Sequence, residues 1–172
     1  MRILGPARAP LSTVRERSAA VALAWFVEDV LPHVWAEAER LGVDPVGMWQ
    51  QAIKETGGGR FGGAVSPKAC NPCGLKITHV GLYGPATDGD QPAAHAMFPS
   101  WQVGARAQAQ HLRAYAGWPL PADELVVDPR YVWLFAGGRP KHWCEHWSDL
   151  GGKWAPSPTY GIEIETGVGR LI

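Results

Sequence analysis

Apolar positions in the first third of the chain recur at helical spacing. Over residues 44–56, Val46, Met48, Trp49, Ala52 and Ile53 fall on one arc at 100° per residue. Gln50, Gln51 and Lys54 fall on the other side, and Glu55 falls on the border beside Met48. Asp44-Pro45 opens this helix, with Asp as N-cap and Pro in the first turn, where its missing N–H costs nothing. Gly57-Gly58-Gly59 closes it. Upstream, Ser12 or Thr13 caps a predicted helix through Leu31, with Val21, Ala24, Trp25, Glu28 and Leu31 near helical spacing. Pro32 breaks or kinks that helix, residues 33–41 resume it, and Gly42 is the expected C-cap. Farther on, Ser100 caps a predicted helix over residues 101–116, with a stripe of Trp101, Ala105, Gln108 or Ala109, Leu112 and Ala116, and Gly117 ends it. Asp128-Pro129 opens a short helix through Phe135. Residues 142–150 predict a helical turn or two, and residues 158–172 a last helix weakened by Gly161, Gly167 and Gly169.

Between residues 57 and 99 the pattern changes. Gly and Pro are dense, and apolar runs shorten to Leu75-Lys76-Ile77 and Val80-Gly81-Leu82-Tyr83, which predicts loop with a small hairpin. Asp88-Gly89-Asp90 reads as a turn. The order is therefore an extended lead-in (1–11), helices, an irregular or β-containing small lobe (57–99), then helices again. It predicts one mainly α domain over residues 1–172, with the lobe flanking a cleft.

Charge narrows the partners. Sixteen basic and sixteen acidic residues cancel, so no basic excess points to nucleic acid or an anionic membrane. No uninterrupted apolar run is long enough to span a bilayer. Residues 1–11 carry two arginines and no apolar core of a secretory signal, so the expectation is release by another route, or a leader outside this sequence. Nine tryptophans are many for 172 residues; most are expected in the core, and one or two along a sugar groove.

Chemistry concentrates at the end of the Asp44 helix. A carboxyl on the border of an apolar arc is partly desolvated, which disfavours its charged form and raises its pKa. Glu55 is thus suited to general-acid work, and the glycines after it leave room for a ligand. Cys70-Asn71-Pro72-Cys73 and His142-Trp143-Cys144-Glu145-His146 raise a second question. Cys70, Cys73, Cys144 and His146 have the type and number of donors of a structural zinc. A disulfide, or three reduced buried thiols, accounts for the same cysteines. No other cofactor is expected.

Four segments, in order, carry a family resemblance: Gln51-Ala52-Ile53-Lys54-Glu55-Thr56-Gly57-Gly58-Gly59, Asn71-Pro72-Cys73-Gly74-Leu75-Lys76, residues 95–112 with Phe98-Pro99-Ser100-Trp101, and Gly152-Lys153-Trp154-Ala155-Pro156-Ser157-Pro158-Thr159-Tyr160. Over roughly positions 45 to 160 the chain resembles the bacterial glucosaminidase domains of peptidoglycan hydrolases, of the lysozyme-like superfamily. The resemblance implies a lysozyme-like helical domain and an endo-N-acetylglucosaminidase acting on peptidoglycan strands as a monomer, with Glu55 as general acid. A phage lysin, cytoplasmic until released, or a virion-associated lysin is the implied setting. Muramidase or lytic transglycosylase action, and a non-catalytic glycan-binding protein, remain open alternatives. It further implies Tyr160 near the scissile bond, and Asn71, Lys76, Trp101, Trp154 and Tyr131 as sugar contacts. Asp88 or Asp90 is the candidate second carboxylate of an inverting route; a retaining route through the substrate's own N-acetyl group needs none. The chain departs from the family pattern at Gly58, where a Trp is usual, at Trp154, where a Tyr is frequent, and at Ser157, where an Asp is frequent.

Overall fold

The computed structural model describes residues 1–77, 83–84 and 91–172. Local cap chemistry places the ends of the helices around the site. Asp44 accepts a hydrogen bond from Val46 N at 3.1 Å and starts α4, as numbered in chain order from α1 (Leu11–Ser18), α2 (Ala24–Asp29) and α3 (Leu31–Leu41). Helix α4 covers Pro45–Thr56. Gly42, at φ 70°, closes α3, and Gly57, at φ 61°, closes α4. Ser100 Oγ accepts from Val103 N and starts α5 (Trp101–Tyr115). The short α6 (Tyr131–Leu134) and α7 (Tyr160–Val168) follow, with 3₁₀ turns at Pro67–Ala69, Pro92–Ala94, Ala136–Gly138 and Trp147–Leu150.

The larger apolar cluster lies among α2, α3, α4, α5 and α7, and Phe26, Leu31, Trp49, Leu112, Trp147 and Ile164 are fully buried in it. Helix α5 runs through its middle and is buried nearly all round, beyond the predicted stripe, with Ala107, Gln110 and His111 also enclosed. Gly47, inside α4, lets the helix lie against Trp147, since a Cβ there would stand 2.4 Å from the indole. A second, smaller cluster joins Cys73, Leu75, Ile77, Ala96 and Phe98 of the lobe to Ala107 of α5 and to Val127. The lobe docks on α5 at Gly104, where a Cβ would stand 1.8 Å from Cys70 O. Residues 75–77 pair antiparallel with residues 94–96 through Ile77 N to Ala94 O and Ala96 N to Leu75 O, each 2.8 Å, around the Lys76–His95 bridge. The other arm of the expected hairpin, residues 80–82, lies outside the described residues.

Three expectations change. The single helix over residues 12–31 is two helices, with a turn at residues 19–23 and no side-chain cap on α1. Leu23 N donates to Gly58 O at 2.8 Å there, so the break is set by a contact distant in sequence. Pro32 falls in the first turn of α3, where the fixed φ suits the helix, and so starts a helix instead of breaking one. Residues 142–146 are not helical, because their end pairs with the lead-in: Ile3 N donates to Glu145 O, Trp147 N to Met1 O, and Arg2 and His146 form an antiparallel bridge. Among the described residues, no helix is long and apolar enough to cross a membrane.

Candidate active site

Glu55 sits in the last turn of α4, at the floor of an open cleft of about 360 Å³. Three successive residues, Gly57, Gly58 and Gly59, hold φ of 61°, 67° and 86°, a run that side chains other than hydrogen strain against. Thr56 fixes the turn by donating to Ala52 O and accepting from Gly59 N. Gly58 also packs on the chain at Val21, where a Cβ would stand 2.4 Å from the carbonyl oxygen. No Trp fits at that position. Phe61, stacked on Trp25 with centroids 6.3 Å apart, supplies an aromatic wall of the cleft instead.

The Glu55 side chain opens to solvent through the cleft mouth, but protein crowds it on its other sides, and this burial raises its pKa. Three groups pull the other way: the Tyr160 hydroxyl, which donates to Glu55 Oε1, the Lys54 charge, and the nearby Trp154 side chain. The raising effect prevails. Tyr160 lies at the first residue of α7, nearly fully buried, and burial together with the Glu55 carboxylate pushes its phenol well above the usual range. It therefore stays a proton donor in a hydrogen bond. Gly161 permits this placement, since a Cβ there would stand 1.8 Å from Trp147 O.

Behind Tyr160 runs a buried polar chain. Gln108 Nε2 donates to Gln51 Oε1 at 2.9 Å, and Gln51 Nε2 donates to Tyr160 Oη at 3.0 Å. Gln108 also donates to Met48 O at 3.2 Å. Gln51 and Gln108 are fully buried. The polar face assigned to Gln51 from the pattern is thus corrected: it points inward, because Gln108 and Tyr160 satisfy its amide. Gln51 precedes Glu55 by four residues, so the two share a helix face, a signal that was present in the sequence.

The remaining candidates divide. Trp154, Lys76 and Asn71 line the cleft with Glu55. Asn71 is buried, and its amide is spent inside the lobe, donating to Leu75 O and Ala96 O and accepting from Leu75 N. Its geometry is that of a brace for the Lys76 strand. Trp101 is absent from the cleft lining; it packs against Trp25, Phe26 and Phe61, centroids 6.2–6.3 Å away, and so backs the Phe61 wall. Tyr131 stacks on Phe135 and accepts from Leu120 N at 2.9 Å, also off the cleft. Asp88 and Asp90 lie outside the described residues. Among the described residues, no three His, Cys, Asp or Glu side chains are grouped to hold a metal. Cys144 is buried in the main core with its thiol toward Asp149 O, while Cys73 belongs to the lobe cluster, so the proposed set is not assembled. The three thiols are unpaired.

The family model described as mannosyl-glycoprotein endo-beta-N-acetylglucosaminidase matches residues 31–169. The chain belongs to the glucosaminidase family. This glucosaminidase is a glycoside hydrolase by that membership, and the match spans both walls of the cleft, from α3 through α7. No curated protein matches its sequence. Among solved structures it is similar to the catalytic domain of the autolysin Auto from Listeria monocytogenes, at 16% identity and a TM-score of 0.52, over 95% of this chain and 86% of that one. At that identity the likeness establishes the fold, a mainly helical lysozyme-like architecture.

Proposed function

We propose that this glucosaminidase cleaves the β-1,4 bond that follows GlcNAc in peptidoglycan, with Glu55 as the general acid. The observation that carries the reading is the Glu55 carboxyl in the cleft, its pKa raised by burial and its Oε1 held by the Tyr160 hydroxyl, with Trp154 in the same lining. Glycosidic cleavage requires a proton on the leaving oxygen, and a carboxyl whose pKa is raised holds its proton to higher pH and so is suited to supply it. The cleft is open at its mouth and at the lower end of ligand-site volumes, about 300–1,000 Å³, as suits one or two sugars of a longer strand. The similar Listeria protein is an autolysin, which supports a cell-wall glycan as substrate.

The test is digestion of purified peptidoglycan, with borohydride reduction and mass spectrometry of the new ends. Wild type is expected to release reduced GlcNAc ends, and Glu55→Gln to lose about 10²–10⁴-fold in kcat. Reduced MurNAc ends would make the enzyme a muramidase, and anhydro ends a transglycosylase. Undiminished turnover in Glu55→Gln would remove Glu55 from the mechanism.

A further inference from the structure

A second, smaller cavity of about 130 Å³ adjoins the cleft and shares Cys73, Gly74, Lys76 and Trp154 with it. Its other side holds Arg130 and His111. The guanidinium carbon of Arg130 lies 5.1 Å from the Trp133 ring centroid, yet Arg130 Nε is buried and has no hydrogen-bond partner among the described residues. That nitrogen is closed to solvent, but the Arg130 side chain lines the cavity and forms no ion pair among the described residues, so its charge is open to an anion there. The neighbouring acid does not serve it. Asp128 Oδ2 binds His111 Nδ1 at 2.8 Å, and Asp128 Oδ1 accepts the Arg130 main-chain N–H at 2.9 Å. The cavity thus presents a cation whose nearby carboxylate is committed elsewhere.

Size limits the ligand. At about 30 Å³ per water, the cavity equals roughly four waters. It has room for an anionic group of a few atoms and none for an extended peptide. Peptidoglycan carries one such group on alternate sugars: the 3-O-lactyl ether of muramic acid. Its carboxylate is free only where the stem peptide has been removed; otherwise it is an uncharged amide.

We propose that this side pocket is a subsite for the free lactyl carboxylate of a muramic acid next to the scissile bond, and that peptide-stripped glycan is therefore the preferred substrate. The inference rests on the peptidoglycan reading above. Arg130 holds the carboxylate by charge-assisted hydrogen bonds, and Lys76 at the shared wall adds positive charge.

The experiment compares kcat/KM on glycan strands before and after amidase removal of the stems, for wild type, Arg130→Gln and Arg130→Lys, with melting curves to verify folding. Wild type is expected to favour stripped strands about tenfold, equivalent to 1.4 kcal/mol. Arg130→Gln is expected to bring that ratio near one, and Arg130→Lys to recover part of it. Equal rates of wild type on both strands, or an unchanged ratio in folded Arg130→Gln, would overturn the subsite. If wild type cuts neither strand, the substrate reading itself fails. The subsite is then decided by calorimetric binding of MurNAc against its lactyl amide: tighter binding of the free acid, lost in Arg130→Gln, supports it, and equal binding removes it.

Discussion

Glu55 is governed by opposed effects on one carboxyl. Burial raises its pKa, while the Tyr160 hydroxyl, Lys54 and Trp154 favour the carboxylate. A general acid works in its protonated form, so activity is present below the raised pKa and lost as pH rises through it. Tyr160→Phe removes the first of the groups that lower the pKa. The pKa then climbs further, and the alkaline limb of kcat/KM is expected to move to higher pH. Lys54→Met is expected to move it the same way but less, because Lys54 is partly solvated and paired with Glu163. A shift to lower pH in either variant, measured as a full pH profile, would contradict the account. At this scale much was legible. The placement of Glu55 at the cleft was legible in its border position and the glycines beyond it, and that of Tyr160 beside it in the closing motif. The Tyr160 bond to Glu55 itself was not readable, because it joins residues 105 positions apart whose approach depends on how α7 docks.

At the scale of elements, the site is a meeting of α4, α5 and α7. Gln108 on α5, Gln51 on α4 and Tyr160 on α7 are linked by two buried hydrogen bonds, and Tyr160 passes that order to Glu55. Gln108→Leu leaves the Gln51 carbonyl buried and unpaired, at a cost of about 1–3 kcal/mol. Melting is expected to fall by about 2–4 °C per kcal/mol, with kcat falling more than KM rises, since Gln108 has no place in the cleft lining. An unchanged kcat in a variant that melts lower would reduce the chain to a stability device. Gly161→Ala places a Cβ 1.8 Å from a main-chain oxygen, which cannot rotate away. Its expected cost is the upper part of the 1–3 kcal/mol range for overpacking, read from denaturant unfolding. Elements whose ends depend on local chemistry were legible: Asp44, Ser100 and Gly42 cap where the sequence indicates. The break between α1 and α2 was not, because it follows from Leu23 meeting Gly58. Residues 142–146 misled for the same reason, since their partner is the lead-in at the opposite end of the chain.

For the whole molecule, the cleft lies where the helical core and the lobe meet, with Glu55 on the helical side and the Lys76–His95 bridge on the other. Both bridge residues line the cleft, and Asp88 and Asp90 fall between them in sequence. This connectivity makes the two aspartates the candidates for the base of an inverting reaction, in which a second carboxylate activates water on the far face of the sugar. The consequence is stereochemical. Proton NMR of the first turnovers on a β-linked strand is expected to show the α-anomer before mutarotation. Asp88→Asn or Asp90→Asn is then expected to lower kcat by about 10²-fold or more. Initial release of the β-anomer, with both variants fully active, would instead assign the second role to the acetamido group of the substrate. The variants alone do not separate these routes, because an aspartate that only shapes a turn also lowers kcat when the turn is lost. The anomer does separate them, since it records the face from which water arrived.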